Sequence, residues 1–369
     1  MKMKKVFCCT LSALLVLGTI VSLVFSLASC GNDDNVLYVC NWGEYISDGS
    51  DGSLDVIKEF EKRYGIKVKY DTYTTNEELY ALLSSGSCYD VVIPSDYMIA
   101  RLIEEDLLQK FDPTELENYA NIASEYKGLY YDSNDEYSVP YSVGMVGIVY
   151  DTTKVSEEEI EEQSWSLLWS QDYKKTELIN MDNPRDAFGV AMCYLGLDVN
   201  STDPADWATA FNKLKEQKCI YQMDEIYNKM ENGNAVAAAY YAGDCLQMMQ
   251  ENEDLDFYYP KEGTNIFVDA MCIPKKAKHV DAAKEFINFM LDPDVATQNA
   301  NKICYASPNV AVRTNEDYDY HEGTDEYAIL YELPASYQED PTRMQYYHNL
   351  DSATQKLLND YWVRVKIEN

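Results

Sequence analysis

Six stretches in the first third of the chain decide the fold: VLYVCN (36–41), SLDVIKEFEKRY (53–64), KVKYDTY (67–73), TNEELYALLSS (75–85), DVVIP (90–94) and YMIARLIEEDLL (97–108). The first, third and fifth are short and apolar or alternating, and read as strands. The others carry apolar residues at helical spacing, with Leu54, Ile57, Phe60 and Tyr64 on one stripe. Thr75 and Glu78 have the spacing of a capping box that opens the second helix. Strand alternating with helix predicts an α/β fold with a parallel sheet and right-handed crossovers. In such open sheets ligands bind beyond the carboxyl ends of the strands. Asn41, Trp42 and Tyr45 follow the first strand, and Ser95, Asp96 and Tyr97 follow the third. Two strand ends thus bring aromatic and polar groups to one rim.

The plan continues downstream. YSVGMVGIVYD (141–151) reads as one continuous strand that could cross between lobes. ELINMDNPRDAFGVAMCYLG (177–196) gives a strand, an acidic turn and a helix, and AVAAAYYAGDCLQMMQ (235–250) repeats this, with Tyr240, Tyr241 and Asp244 at the turn. TNIFVDAMCIP (264–274) is strand-like, HVDAAKEFINFMLDPDVA (279–296) reads as an amphipathic helix, and the chain from EYAILYELP (326–334) onward as mostly helical. Trp165, Trp169 and Trp207 lie in helical patterns and are expected in the core. A chain of this length is more than one ordinary core holds, so two domains are expected.

The first 29 residues stand apart. MKMKK followed by a long uncharged run reads as a secretory signal, the alternative being an uncleaved membrane anchor. LASC (27–30) followed by GNDDN resembles the lipobox of bacterial lipoproteins, in which Cys30 receives a diacylglycerol and becomes the new N-terminus. The formal charge of -33 makes nucleic acid and anionic membrane poor partners and raises the local concentration of cations. Beyond Cys30 the cysteines are Cys40, Cys88, Cys193, Cys219, Cys245, Cys272 and Cys304, an odd number at wide spacings with no CxxC. With three scattered histidines, this excludes an obvious zinc site and predicts mostly buried thiols, one pair of which could be bridged.

No nucleophile elbow, P-loop, HExxH or dinucleotide fingerprint occurs. An aromatic beside a carboxylate recurs instead: Tyr97 by Asp96, Tyr241 by Asp244, and Phe267 by Asp269. Ring faces and carboxylates together attract an ammonium ion. The bland alternative for each is a core aromatic near a surface or capping acid. Asp269 is the sharpest signal, because an unpaired carboxylate inside a strand is costly; its alternative is a salt bridge to a buried Lys or Arg. Asp186 could cap a helix, with Arg185 as its ion-pair partner.

These same segments carry a family resemblance. LYVCNWGEY, FEKRYGIKVKYDTYTTNEELYALL, YDVVIPSDY, YSVPYSVG, AGDC, YPKEG, VDAMCIPKKAKHVDAAKEFINFMLDPDVA and CYASPNVAVR resemble, in order, the spermidine/putrescine-binding proteins of polyamine ABC transporters. The resemblance implies a two-lobed periplasmic-binding-protein fold of type II, each lobe a mixed, largely parallel sheet flanked by helices. It divides the chain into a leader (1–29), a lipid-anchored linker (30–35), a first lobe (36–145 with 269–312) and a second lobe (146–268 with 313–369).

By position it assigns Trp42, Tyr45, Ser95 and Tyr97 to the first-lobe side of a ligand pocket, Asp269 and Tyr305 near the lobe boundary, and Asn183, Asp186, Tyr241, Asp244 and Phe267 to the second-lobe side. Spermidine binders commonly have acids at the positions of Asn183 and Asp186, the second a Glu, and Trp at those of Tyr241 and Phe267, whereas Asp244 is similar to putrescine-type members. His348 falls near a family glutamine. The function implied is that of a lipid-anchored extracytoplasmic receptor, not an enzyme, that binds spermidine or putrescine without cofactor or metal. It is expected to be a monomer that meets the membrane only through its lipid and hands its ligand to a permease. The alternatives are a receptor of the same fold for another solute, and a secreted enzyme or adhesin.

Overall fold

The computed structural model describes residues 35–50, 52–223 and 225–368. The expected leader, Cys30 and all but the last residue of the expected linker lie outside them. Ten strands, β1 (Val36–Trp42), β2 (Lys67–Tyr73), β3 (Val91–Val92), β4 (Ser138–Asp151), β5 (Leu178–Met181), β6 (Ile220–Gln222), β7 (Ala237–Tyr241), β8 (Leu255–Tyr258), β9 (Thr264–Cys272) and β10 (Met344–Gln345), are interleaved with helices. They pair in the order β2-β1-β3-β9-β4-β7-β5-β6, with β8 beside β4 and β10 beside β9.

The expected parallel pairing holds at the two flanks, where β1 lies parallel to β2 and β3, and β5 parallel to β6 and β7. The centre is antiparallel: β9 runs against β3 and β4, and β4 against β7 and β8. β4 changes partners along its length. Residues up to Met145 pair with β9, and from Val146 onward with β7 and then β8. All fourteen residues of β4 are buried. The result is the two-lobed α/β architecture, with β4 and β9 as the strands common to both halves.

β1 buries both of its faces, as parallel strands covered by helices do. Leu37 and Val39 pack with Phe60, Phe286 and Phe289, while Tyr38 and Cys40 pack with Leu79, Ile99 and Leu102. A third cluster holds Ile148, Val149, Phe188 and all three expected core tryptophans, Trp165, Trp169 and Trp207. Six cysteines, Cys40, Cys193, Cys219, Cys245, Cys272 and Cys304, are free and buried. Among the described residues no helix is long and apolar enough to cross a membrane.

Two local expectations are corrected and a third holds. The apolar periodicity over 279–296 covers two helices, Val280–Met290 and Pro293–Ile303. Pro293 disfavours helical geometry at the residue before it, and Asp292 instead caps the second helix by accepting from Asp294 N at 3.1 Å. The C-terminal stretch is mostly helical as expected, in pieces, Asp325–Tyr331, Ala335–Glu339 and Ser352–Glu368, with Pro334 and Pro341 among the interruptions. At the capping box, Thr75 does accept from Glu78 N at 3.1 Å, but the Glu78 carboxylate turns back to Thr74 N and Oγ1, both at 2.9 Å.

Candidate functional site

Strand register builds the acidic centre. β3 runs antiparallel to β9 with Val92 opposite Cys272, and three residues further on Ser95 bridges to Asp269. On the other side of β9, past an irregularity between Pro140 and Ser142, β4 sets Ser142 opposite Asp269. Tyr45, from the turn after β1, reaches over and donates its hydroxyl to Asp269 Oδ2 at 2.7 Å, with Ser142 Oγ 2.5 Å from the same hydroxyl. Asp269 is 3% exposed, and its Oδ1 has no hydrogen-bond partner. The salt bridge weighed as its alternative is absent: no Lys or Arg pairs with Asp269 among the described residues. Burial pushes its carboxyl up to about 6, against the opposing pull of the Ser95, Tyr45 and Ser142 hydroxyls.

A second buried acid, Asp186, lies on the helix after β5. Asn183 is the cap of that helix, accepting from Arg185 N at 2.9 Å, so Asp186 is not the cap that its position allowed. Nor does Arg185 form its ion pair. The guanidinium donates to Val199 O at 2.9 Å and Asn200 Oδ1 at 2.7 Å, and lies 4.4 Å from the Tyr347 ring centre. Asp186 Oδ2 accepts from the Tyr241 hydroxyl at 2.8 Å. Burial raises its carboxyl to about 6, offset in part by Tyr241 and by the nearby Arg185 charge.

Aromatic rings connect the two acids. Tyr241 meets Phe267 edge-on at 5.6 Å, Phe267 lies 6.2 Å from Tyr305, and Tyr305 meets Tyr45 at 5.4 Å. The path Asp186, Tyr241, Phe267, Tyr305, Tyr45, Asp269 thus carries a carboxylate at each end and ring surface between. Asp244, in the first turn of the helix after β7, accepts from the hydroxyls of Tyr227 and Tyr305.

Three predicted residues stand off this path. Trp42 packs on Tyr73 at 4.6 Å with its Nε1 unbonded, and Tyr97 donates to Glu77 at 3.2 Å. Asn183 is engaged in capping. Asp96 does not face the Tyr97 ring; its carboxylate turns to the backbone, accepting from Tyr97 N at 2.6 Å and Val268 N at 3.3 Å. His348 is exposed and stacks on Tyr130 at 4.4 Å.

Sequence reasoning missed Ser142, Tyr227 and Glu77. Ser142 becomes visible only once β4 and β9 are paired in register. Tyr227 lies in a short helix with no signal of its own, and Glu77 reads as an ordinary first-turn acid.

The comparisons with known proteins give the class to which this two-lobed fold belongs. Residues 87–327 match the family model described as bacterial extracellular solute-binding protein. Residues 1–118 match one described as a hypothetical lipoprotein (MG045 family). The spermidine/putrescine-binding periplasmic protein of Escherichia coli is 34% identical over 291 residues, covering 78% of this chain and 81% of that one. Among solved structures, the spermidine/putrescine ABC transporter substrate-binding protein PotD of Streptococcus pneumoniae superposes with a TM-score of 0.75 at 30% identity, over 90% of this chain and 99% of that one. The TpPotD lipoprotein of Treponema pallidum gives 0.74 at 27% identity, over 89% and 99%. The chain belongs to the bacterial extracellular solute-binding proteins, in the family of the spermidine/putrescine-binding periplasmic proteins.

Proposed function

We propose that this chain is the substrate-binding protein of an ABC importer for linear polyamines, spermidine, putrescine or both. It is a monomer held to the outer face of the cell membrane by a lipid on Cys30, and it delivers its ligand to the permease. The observation that carries the ligand class is Asp269, a buried carboxylate with an unbonded oxygen and no cationic partner among the described residues, at the end of a path of rings. Polyamine nitrogens titrate as lysine does, near pKa ~10.4, so the ligand arrives as a polycation. Its ammonium groups meet Asp269 and Asp186, and its methylenes lie against Tyr241, Phe267 and Tyr305, at about 0.8 kcal/mol per buried CH₂. Trp42, Tyr45, Ser95 and Tyr97 complete the first-lobe wall, with Asn183, Asp186 and Asp244 opposite.

The lobes, 36–145 with 269–312 and 146–268 with 313–369, close by bending where β4 changes partners, and the ligand holds the closed state by its differential affinity. The match to a lipoprotein model over the N-terminal residues supports the anchor.

Thermal-shift measurements on soluble protein against diamines, triamines, sugars and anions test this reading, since a ligand that binds only the folded state raises the melting temperature. Diamines and triamines should raise it and sugars and anions should not; stabilisation by a sugar or an anion alone overturns the assignment. Mass spectrometry of protein from its native cells should find diacylglycerol on Cys30, and an unmodified Cys30 removes the anchor.

A further inference from the structure

Asp244 differs from Asp269 in having both of its carboxylate oxygens bonded by the chain itself. Tyr227, from the helix Glu225–Glu231, donates to its Oδ1, and Tyr305 donates to its Oδ2. Tyr227 is itself held, with Gln247 Oε1 3.2 Å from its hydroxyl. The Tyr305 ring has little room to be elsewhere. A Cβ at Gly243 would lie 2.4 Å from Tyr305 Cδ2, and one at Gly144 would lie 2.9 Å from its Cε1. Ala306, the next residue, is bridged to Val143 on β4. Two glycines and a strand contact seat the ring, and Asp244 fixes its hydroxyl. Asp269, by contrast, keeps an oxygen with no partner.

We propose that in this chain Asp244 is a positioning residue and not a counter-charge for the ligand. It clamps Tyr305 as the ring wall between Phe267 and Tyr45, and leaves Asp186 and Asp269 as the two carboxylates that count ammonium groups. The site then reads a diamine, and a third ammonium gains nothing from Asp244. This rests on the polyamine reading above.

The test is calorimetry with putrescine, 1-aminobutane and spermidine on wild-type, D244N, D244A, Y305F, D244A/Y305F and D269N proteins. The ratio of putrescine to 1-aminobutane affinity measures the worth of the second ammonium. In D244N both amines should weaken alike, by about tenfold at most, and the ratio should stay within about threefold of wild type. D244A and Y305F should each weaken both amines, and the double variant should be no weaker than D244A, because they break one contact. D269N should cost putrescine about 30-fold or more, as loss of a buried charge partner does. A D244N ratio that collapses by more than about tenfold makes Asp244 a ligand carboxylate and overturns the proposal. If the wild-type protein binds no amine, the polyamine reading fails on its own. The clamp is then read from melting temperatures, where additive losses in D244A and Y305F overturn it and non-additive losses uphold it.

Discussion

Asp269 and Asp186 share a condition that sets two predictions: each is a buried carboxyl with a folded-state pKa of about 6 where the ordinary value is 3.8. Their ionised forms are therefore penalised in the ligand-free fold. The penalty is absent below pH ~4, grows between ~4 and ~6, and is complete above ~6, so their contribution to stability falls as pH rises through that window, by on the order of 3 kcal/mol each. An ammonium ligand binds the ionised forms. Polyamine affinity should accordingly rise from pH ~5 to about 7 and then level off, with protons released on binding near pH ~5.5; calorimetry in two buffers of different ionisation enthalpy measures both. Affinity that stays flat over this range would detach the ligand from these acids. At neutral pH, Asp269→Asn should weaken binding by about 2 to 5 kcal/mol, since a buried ammonium is left without its partner charge. Circular dichroism should find the variant folded, and normal binding by it would move the ligand elsewhere. Asp269 stood out in the sequence because a lone carboxylate in an apolar run is costly to bury unless a cation or a ligand meets it. Nothing marked Ser142, whose alternation with apolar neighbours on β4 is ordinary.

At the scale of elements, β4 does two things at once: it pairs with both halves and it carries glycines where rings from other elements press against it. A Cβ at Gly144 would come within 2.4 Å of Phe267 Cζ and 2.9 Å of Tyr305 Cε1. Gly144→Ala should therefore destabilise the protein by about 1 to 3 kcal/mol through overpacking and displace the ring path, so that denaturation and ligand affinity are both affected. An alanine variant of unchanged stability and affinity would mean that both rings can step aside without cost. Helix boundaries were read less well than helix existence. The apolar stripe through 279–296 continues in phase across the break between Met290 and Pro293, so periodicity alone could not reveal two helices; the signal was Pro293 behind a capping aspartate. The strands of the first third were legible because their apolar residues are bounded by amphipathic helices, but which strands are neighbours was not.

For the whole molecule, the open matter is selectivity. Asp186 is one methylene shorter than Glu, Phe267 and Tyr241 cover less surface than indoles, and Asp244 has both oxygens bonded by phenols. On the proposal that Asp186 and Asp269 meet the ammonium groups, a short ligand is favoured, so putrescine should compete well and spermidine should not be preferred by more than about 4 kcal/mol, roughly a thousandfold. Single methylenes in apolar pockets change affinity by only about 1 to 3 kcal/mol, which is why neither ligand should be lost. Competition calorimetry decides this, and a larger spermidine preference would place the discrimination in residues outside the ring path.

The sequence by itself determined the alternation of strand and helix, the two-lobe expectation that its family motifs imply, and most of the aromatic and acidic residues on the path from Asp186 to Asp269. These follow from local periodicity and from residue types whose burial is costly unless they have a purpose. Only the tertiary structure decided that the sheet centre is antiparallel, that Asn183 and not Asp186 caps its helix, that Arg185 bonds Val199 and Asn200 and not Asp186, and that Asp244 is held between Tyr227 and Tyr305. Strand order, side-chain direction and hydrogen-bond partners across 61 residues of sequence depend on which surfaces pack together. That packing is a property of the assembled core, and no local pattern encodes it.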